Sequence, residues 1–360
     1  MVGAFTTNRV QAAPVLVSKR NIKSGYCSAV IINSGCANAC TGEKGLRDAE
    51  AMVAETAKAL GVPKGQVLVC STGKIGMGLP VKRILRNLPR LIRSVRPDRL
   101  GRAARAILTT DKGPKVASER FRIGRRTIRI VGIAKGAGMI EPHMATMLAF
   151  FMTDARIGRR AADAIFRRCL DRTFHRITID GDTSTNDTAL FLAGGRAGGP
   201  PIREGSQSAS QLETALGRVM ECLALRIVRE GEGVTKLIRL EVRGARSDRE
   251  ARKAAFAIAN SPLVKCAFHG GDPNWGRVLA AAGRSGATLD PPRADIFYNG
   301  VVVVRQGVSS GAGAEERARK VMKRDDFSVT VDLNLGEGSS MVWTSDLSPG
   351  YVRFNSCYRT

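Results

Sequence analysis

The residues with the clearest chemical potential are Lys135-Gly136-Ala137-Gly138-Met139-Ile140-Glu141-Pro142-His143-Met144-Ala145-Thr146, followed by the apolar run Met147 to Met152. Glycines and a proline lead to one hydroxyl, which stands between Ala145 and what reads as a buried strand. A threonine hydroxyl is a poor nucleophile unless a base lies beside it. One solution is to cut the preceding peptide bond, so that the threonine's own α-amine becomes the base. The bond concerned would be Ala145-Thr146; the plain alternative is a half-buried hydroxyl at a strand start.

A second group follows the apolar strand Val67-Leu68-Val69-Cys70, in the loop Ser71-Thr72-Gly73-Lys74-Ile75-Gly76. Amides and a hydroxyl in such a loop can be aimed at a developing negative charge, each donor lowering a barrier by about 3 to 4 kcal/mol. An ordinary glycine turn is the other reading. Glu232, flanked by Gly231 and Gly233, is suited to meet an ammonium or to cap a turn. Thr178 to Thr188 is dense in carboxylates and hydroxyls and invites a hard cation. It lacks the closing glutamate of a calcium loop, and no metal is expected. Eight cysteines without a Cys-x-x-Cys pair, and three histidines, do not cluster as a zinc site would and read as free thiols.

These groups need elements to hold them. Residues 4 to 17 read as a short strand and turn. Ala29 to Asn33 is a buried strand running into Ser34-Gly35-Cys36-Ala37-Asn38-Ala39-Cys40-Thr41-Gly42, a turn. Leu46 to Leu60 has helical spacing and ends at Gly61 as a C-cap. Phe121 to Ala134 alternates like a hairpin strand and delivers the chain to Lys135. Met147 to Thr153 predicts a strand, Ala161 to Arg172 and Leu212 to Ile227 predict helices, and Gly194 to Ser210 is the only linker-like stretch. Ser247 or Asp248 caps a helix through Ile258, and Gly311 to Lys323 is a charged helix.

The chain has 360 residues, 43% of them apolar and 25% charged, ordinary for a globular α/β protein and enough for one large core or two. The 57 basic residues outnumber the 32 acidic ones by 25. Residues 1–145 hold 26 basic and 8 acidic residues, so most of the excess lies there. Nine of these basic residues lie between Lys82 and Arg105, against Asp98 alone. Pro89 and Pro97 break the pattern and no aromatics are interleaved for base stacking, so a solvated face is read rather than a nucleic-acid surface. No apolar run approaches the roughly 18 residues of a membrane span. The start lacks a signal-peptide layout, and a cytoplasmic protein is expected.

The stretch from Lys135 to Leu148 closely resembles the maturation site of the ornithine acetyltransferase (ArgJ) family, with its lysine-glycine-small-glycine-methionine-isoleucine run and its methionine-alanine-threonine-methionine-leucine. Further segments resemble the family in order: Phe5-Thr6-Thr7-Asn8-Arg9, Asn33 to Ala39, Ser71 to Gly76, Thr109-Thr110-Asp111, Gly231 to Lys236, Gly271 to Arg277, and Val329 to Thr360. Members usually carry a few dozen residues before the first of these, forming an opening strand; either the start is misassigned or the fold tolerates the loss, a question of stability rather than of chemistry.

The resemblance implies a layered α/β/β/α sandwich of the self-cleaving ornithine acetyltransferase and aminopeptidase type. It implies a cut at Ala145-Thr146 into an α chain, 1–145, and a β chain, 146–360. Thr146 would be the nucleophile, Thr72 and Gly73 the oxyanion hole, and Lys135, Thr146, Glu232, Asn355 and Thr360 the contacts to substrate. Lys112 stands where members usually have a substrate-binding threonine, and that contact is not carried over. The implied reaction is acetyl transfer from N2-acetylornithine to glutamate, with no cofactor and with acetyl-CoA left open as a co-substrate. The implied assembly is a heterotetramer of two α and two β chains. A self-cleaving aminopeptidase and a non-enzymatic polyanion binder are the alternatives.

Overall fold

The computed structural model describes residues 1–141 and 147–357. Two compact units are present, the first built from residues 1–175 and 182–227, the second from 176–181 and 228–357. They do not coincide with 1–145 and 146–360, which are expected pieces of a cut chain rather than folding units.

The first unit contains β1 (Val2–Phe5), α1 (Ala13–Asn21), β2 (Ala29–Asn33), α2 (Gly42–Leu60), β3 (Val67–Ser71), α3 (Val81–Arg93) and α4 (Leu100–Ala106). These are succeeded by β4 (Lys115–Ile123), β5 (Arg126–Lys135), β6 (Leu148–Thr153), α5 (Arg159–Arg172), β7 (Thr188–Ala193) and α6 (Gln207–Arg229), whose last turn enters the second unit. One sheet has the order β1-β7-β6-β5-β4; β2 and β3 form a separate parallel pair.

Strand alternation assigns the layers. Ile133, Leu148, Phe150 and Leu190 point from the larger sheet to Leu68 and Cys70 of the smaller one. Phe151 and Phe191 point the opposite way, onto Phe166 of α5, with ring centroids 6.1 and 5.9 Å away. α6 crosses Gly132 so closely that a Cβ there would meet Leu223 and Val219 at 2.8 Å. On the far side of β2–β3, Ala13 and Val17 of α1 and Met52 and Val53 of α2 pack on Val67 and Val69. The unit is therefore layered helix, sheet, sheet, helix, and the α/β/β/α expectation holds within it.

Residues 4 to 17 are a correction. Only β1 is extended; Pro14 lies in the first turn of α1, where its missing N–H costs nothing. The apolar Val15 and Val17 look like strand residues but lie on the helix, Val17 packing on Val67 and Val69 of β3 and Val15 on Ala37 and Ala39. Ser18 then serves the free edge of β3: its hydroxyl donates to the Val69 carbonyl at 2.7 Å and accepts the Val69 amide at 2.9 Å. Pro89 lies inside α3, whereas Pro97 does separate α3 from α4. Gly194 to Ser210 is a loop within the first unit and the start of α6, not a linker between units.

The second unit contains β8 (Leu237–Ala245), α7 (Asp248–Ala259), α8 (Pro262–Gly270), α9 (Trp275–Gly283), β9 (Asp295–Tyr298), β10 (Val301–Arg305), β11 (Val308–Ser309), α10 (Ala312–Met322), β12 (Asp326–Asp332), β13 (Gly338–Ser345) and α11 (Pro349–Cys357). Its sheet has the order β11-β10-β9-β12-β8-β13, with β12 and β8 parallel. Ile238, Leu240, Val242, Phe327, Val329 and Val331 form the face under α7 to α10. The residues between them, such as Arg239, Glu241, Arg243 and Asp332, pair on the other face. Ser247 is the residue that caps α7, accepting the Glu250 amide.

Candidate active site

The loop after β3 is held from three sides. The Asn33 carbonyl accepts the Thr72 amide at 3.1 Å, and the Asn33 side chain accepts the Ser71 hydroxyl at 2.6 Å. The Asn186 side-chain amide donates to the carbonyls of Ser71 and Ala37, at 2.9 and 2.7 Å. The Lys74 amide donates to the Gly35 carbonyl at 3.3 Å. Gly73 has φ +128°, and a Cβ there would lie 2.3 Å from the Gly35 carbonyl carbon, so the close approach of the two loops requires glycine.

Two donors remain. The Thr72 amide is engaged, while the Gly73 N–H makes no hydrogen bond among the described residues. Lys135 donates from Nζ to Thr72 Oγ1 at 3.2 Å and to Thr109 Oγ1 at 2.8 Å. An ammonium has donors only, so Thr72 is the acceptor there and its own O–H is left to donate elsewhere. The hydroxyl of Thr72 and the amide of Gly73 are thus an adjacent donor pair on a braced loop, the arrangement that stabilises an oxyanion.

Lys135 is 2% exposed, and burying its charge requires partners. Asp111 supplies them: its carboxylate lies 2.9 Å from Lys115 Nζ and 3.7 Å from Lys135 Nζ, and accepts the Gly136 amide at 2.7 Å. Burial alone would raise the Asp111 carboxyl; Lys135, Lys115 and the Gly136 amide outweigh it and hold the group below the usual carboxylate range. Lys112, next to it, is exposed.

β5 and β6 bring this cluster to the expected cut. Lys135 is the cross-strand partner of Leu148, which stands two residues after Thr146. The Met147 amide donates to Asp187 Oδ1 at 2.9 Å. Ala145, Thr146 and Thr360 lie outside the described residues.

In the second unit Glu232 and Asn355 meet, Asn355 Nδ2 donating to Glu232 Oε2 at 3.1 Å. Gly233 has φ +67° and a Cβ there would lie 2.2 Å from the Tyr351 amide, so α11 sits directly on this turn. The Ser348 hydroxyl donates to the Gly233 carbonyl at 2.6 Å. Asp346 fixes the two residues that lead into β8, accepting the amides of Thr235 and Lys236 at 2.9 Å and the Thr235 hydroxyl at 2.6 Å. Burial would raise its carboxyl; these donors and His269 outweigh that and lower it.

The structure therefore gathers Thr72, Gly73 and Lys135 in the first unit and Glu232 and Asn355 in the second. Asn33, Asp111, Asn186, Asp187 and Asp346, which support them, were not singled out by sequence. Asn33 ends a strand, Asp111 lies in a short segment noted for its family resemblance, and Asn186 lies in a polar run; in each case a partner far along the chain leaves no local signal. Among the described residues, no three His, Cys, Asp or Glu side chains are placed to hold a metal.

A braced pair of available donors on an α/β/β/α layer, near a strand whose first residue stands two positions after a threonine in the sequence, is an arrangement that can serve acyl transfer. The model of the ArgJ family matches residues 1–360, and the chain belongs to that family. It is 49% identical to the arginine biosynthesis bifunctional protein ArgJ of Geobacter sulfurreducens, over all of this chain and 92% of the relative. It is 46% identical to the protein of that name from Syntrophotalea carbinolica, over 99% of this chain and 91% of the relative. Among solved structures, the bifunctional protein ArgJ of Bacillus halodurans matches with a TM-score of 0.55 and 38% identity, over 58% of this chain and 98% of that one.

Proposed function

We propose that the chain is an acetyltransferase of arginine biosynthesis that cuts itself between Ala145 and Thr146 and moves acetyl from N2-acetylornithine to glutamate through Thr146. The observation that carries this reading is the donor pair of Thr72 and Gly73, linked through Lys135 to the start of β6. The family and the names of the relatives support the substrates, and the solved ArgJ chain, itself covered to 98%, matches 58% of this chain, close to the share that residues 146–360 make of it.

In maturation the Thr146 hydroxyl adds to the Ala145 carbonyl, the C–N bond breaks as the nitrogen takes the proton, and water opens the resulting ester. Ala145 then ends the α chain as a carboxylate, and Thr146 begins the β chain with a free amine. In turnover that amine takes the hydroxyl proton as the oxygen attacks the acetamide. Thr72 and Gly73 hold the oxyanion, the C–N bond breaks, and the proton leaves with ornithine. The glutamate amine attacks the acetyl ester, its proton passes to the Thr146 amine, and the C–O bond breaks to restore the hydroxyl. Lys135, Glu232, Asn355 and Thr360 orient the amino-acid ends.

The two pieces stay together because β5 and β6, on either side of the cut, share hydrogen bonds along six residue pairs. We assign a cytoplasmic heterotetramer of two α and two β chains. No helix among the described residues is long and apolar enough to cross a membrane.

Purified enzyme, supplied with N2-acetylornithine and then glutamate, water or acetyl-CoA with glutamate, tests the reading. Acetylglutamate formed from acetylornithine supports it, and signal in the acetyl-CoA arm adds the second donor. Acetate as the product despite glutamate favours the aminopeptidase-like alternative.

A further inference from the structure

Thr178 to Thr188 stands out in the sequence for its carboxylates, and the reaction above uses none of them. Asp187 is fully buried. Its Oδ1 accepts the Met147 amide, and its Oδ2 is buried without a hydrogen bond among the described residues. Thr6, in the loop after β1, contributes its amide to the Asp187 main chain only. Lys135 on β5 is near enough for its charge to act on the carboxyl, and its ammonium is engaged by Thr72, Thr109 and Asp111.

The Met147 amide is half of the planar peptide bond that joins Met147 to Thr146. Whatever grips that amide sets the plane from which Thr146 departs. A charged carboxylate at this point would act on the reaction in two ways. It would hold the Thr146 amine as an ammonium, which cannot be a base, and it would repel an oxyanion forming beside it. A neutral acid grips the amide without either effect.

We propose that Asp187 is a positioning residue for Thr146 that works as the uncharged acid, fixing the Met147 amide through Oδ1 while leaving the Thr146 amine unprotonated. Burial supports the same state, pushing the carboxyl well above its ordinary range; the Met147 amide, the Ser184 hydroxyl and the charge of Lys135 oppose this without offsetting it. Asp187 exchanges no proton in the cycle. The inference rests on the reading of Thr146 as nucleophile.

The test uses the full chain as wild type, Asp187→Asn and Asp187→Ala, with the cutting half-time followed by denaturing electrophoresis and kcat and KM measured on the cut enzyme. Asparagine keeps the acceptor and the neutral charge, so Asp187→Asn is expected within about threefold of wild type in cutting and in kcat. The pH at which its kcat falls on the acid side is expected to be unchanged. Asp187→Ala is expected to cut and turn over about tenfold or more slowly, with KM within about twofold, since a misplaced reacting group costs rate rather than affinity.

A folded Asp187→Asn that stays uncut or inactive, or whose acid limb moves to lower pH, means that the ionised form is used and overturns the proposal. So does Asp187→Ala at wild-type rates. If Asp187→Ala does not fold, Asp187→Asn decides alone by the same criteria. A wild-type chain that neither cuts nor transfers acetyl sinks the Thr146 reading instead, and that shows before any variant is compared.

Discussion

At the scale of single residues, donors, acceptors and charges fix what each side chain contributes. Thr72→Val keeps the shape and removes the hydroxyl that we propose as an oxyanion donor. We expect kcat to fall by about 10²- to 10³-fold with KM little changed, read by steady-state kinetics. Asp111→Asn leaves Lys115 and Lys135 buried beside a neutral partner, and is expected to cost about 3 to 5 kcal/mol in denaturant unfolding. The Asp111 carboxyl is depressed in the folded state, so its contribution is present above the carboxylate range of the unfolded chain. It is lost as pH falls through the lower folded value. The stability gap between wild type and Asp111→Asn should therefore shrink as pH drops below about 4; a gap independent of pH would contradict the assignment.

At the scale of elements, the site depends on how closely the layers approach. Gly132→Val would push α6 from β5, because Leu223 and Val219 already lie 2.8 Å from the position of a Cβ. A loss of about 1 to 3 kcal/mol is expected by thermal or chemical unfolding. Much of this level is legible in the sequence. The strands β2, β3 and β6 follow from apolar runs, α2 from its periodicity and Gly61, and α7 from Ser247. The loop of Thr72 and Gly73 follows from a strand ending in small polar residues together with the family resemblance. The remainder depends on distant partners. α1 reads as extended because Val15 and Val17 alternate, yet Pro14 starts a helix whose Ser18 closes the edge of β3. Asn186 reads as one polar residue among many, and its role exists only because Ser71 and Ala37 are within reach in the fold. Asp187, likewise, is one acid in a polar run until the sheet sets it against Met147.

At the scale of the whole molecule, charge and cleavage remain. Lys82, Arg83, Arg86, Arg90, Arg93, Arg96, Arg102 and Arg105 are exposed, and none forms an ion pair among the described residues. We read this face as solvated, so Arg86→Ser, Arg90→Ser and Arg93→Ser together should leave kcat and KM within about twofold of wild type. Loss of transfer in that variant would instead support a polyanion-dependent role. The proposed cut has a different relation to the fold. It would divide a sheet between two paired strands, β5 and β6, and so would release an amine without releasing a domain. The measurement that tests the central claim most directly is the mass of the two pieces after incubation with N2-acetylornithine and no glutamate. The account predicts a piece beginning at Thr146 that carries one added acetyl group on that residue, lost again when glutamate is supplied. An active preparation in which residues 145 and 146 are still joined, or in which acetyl is found on another residue, would contradict it.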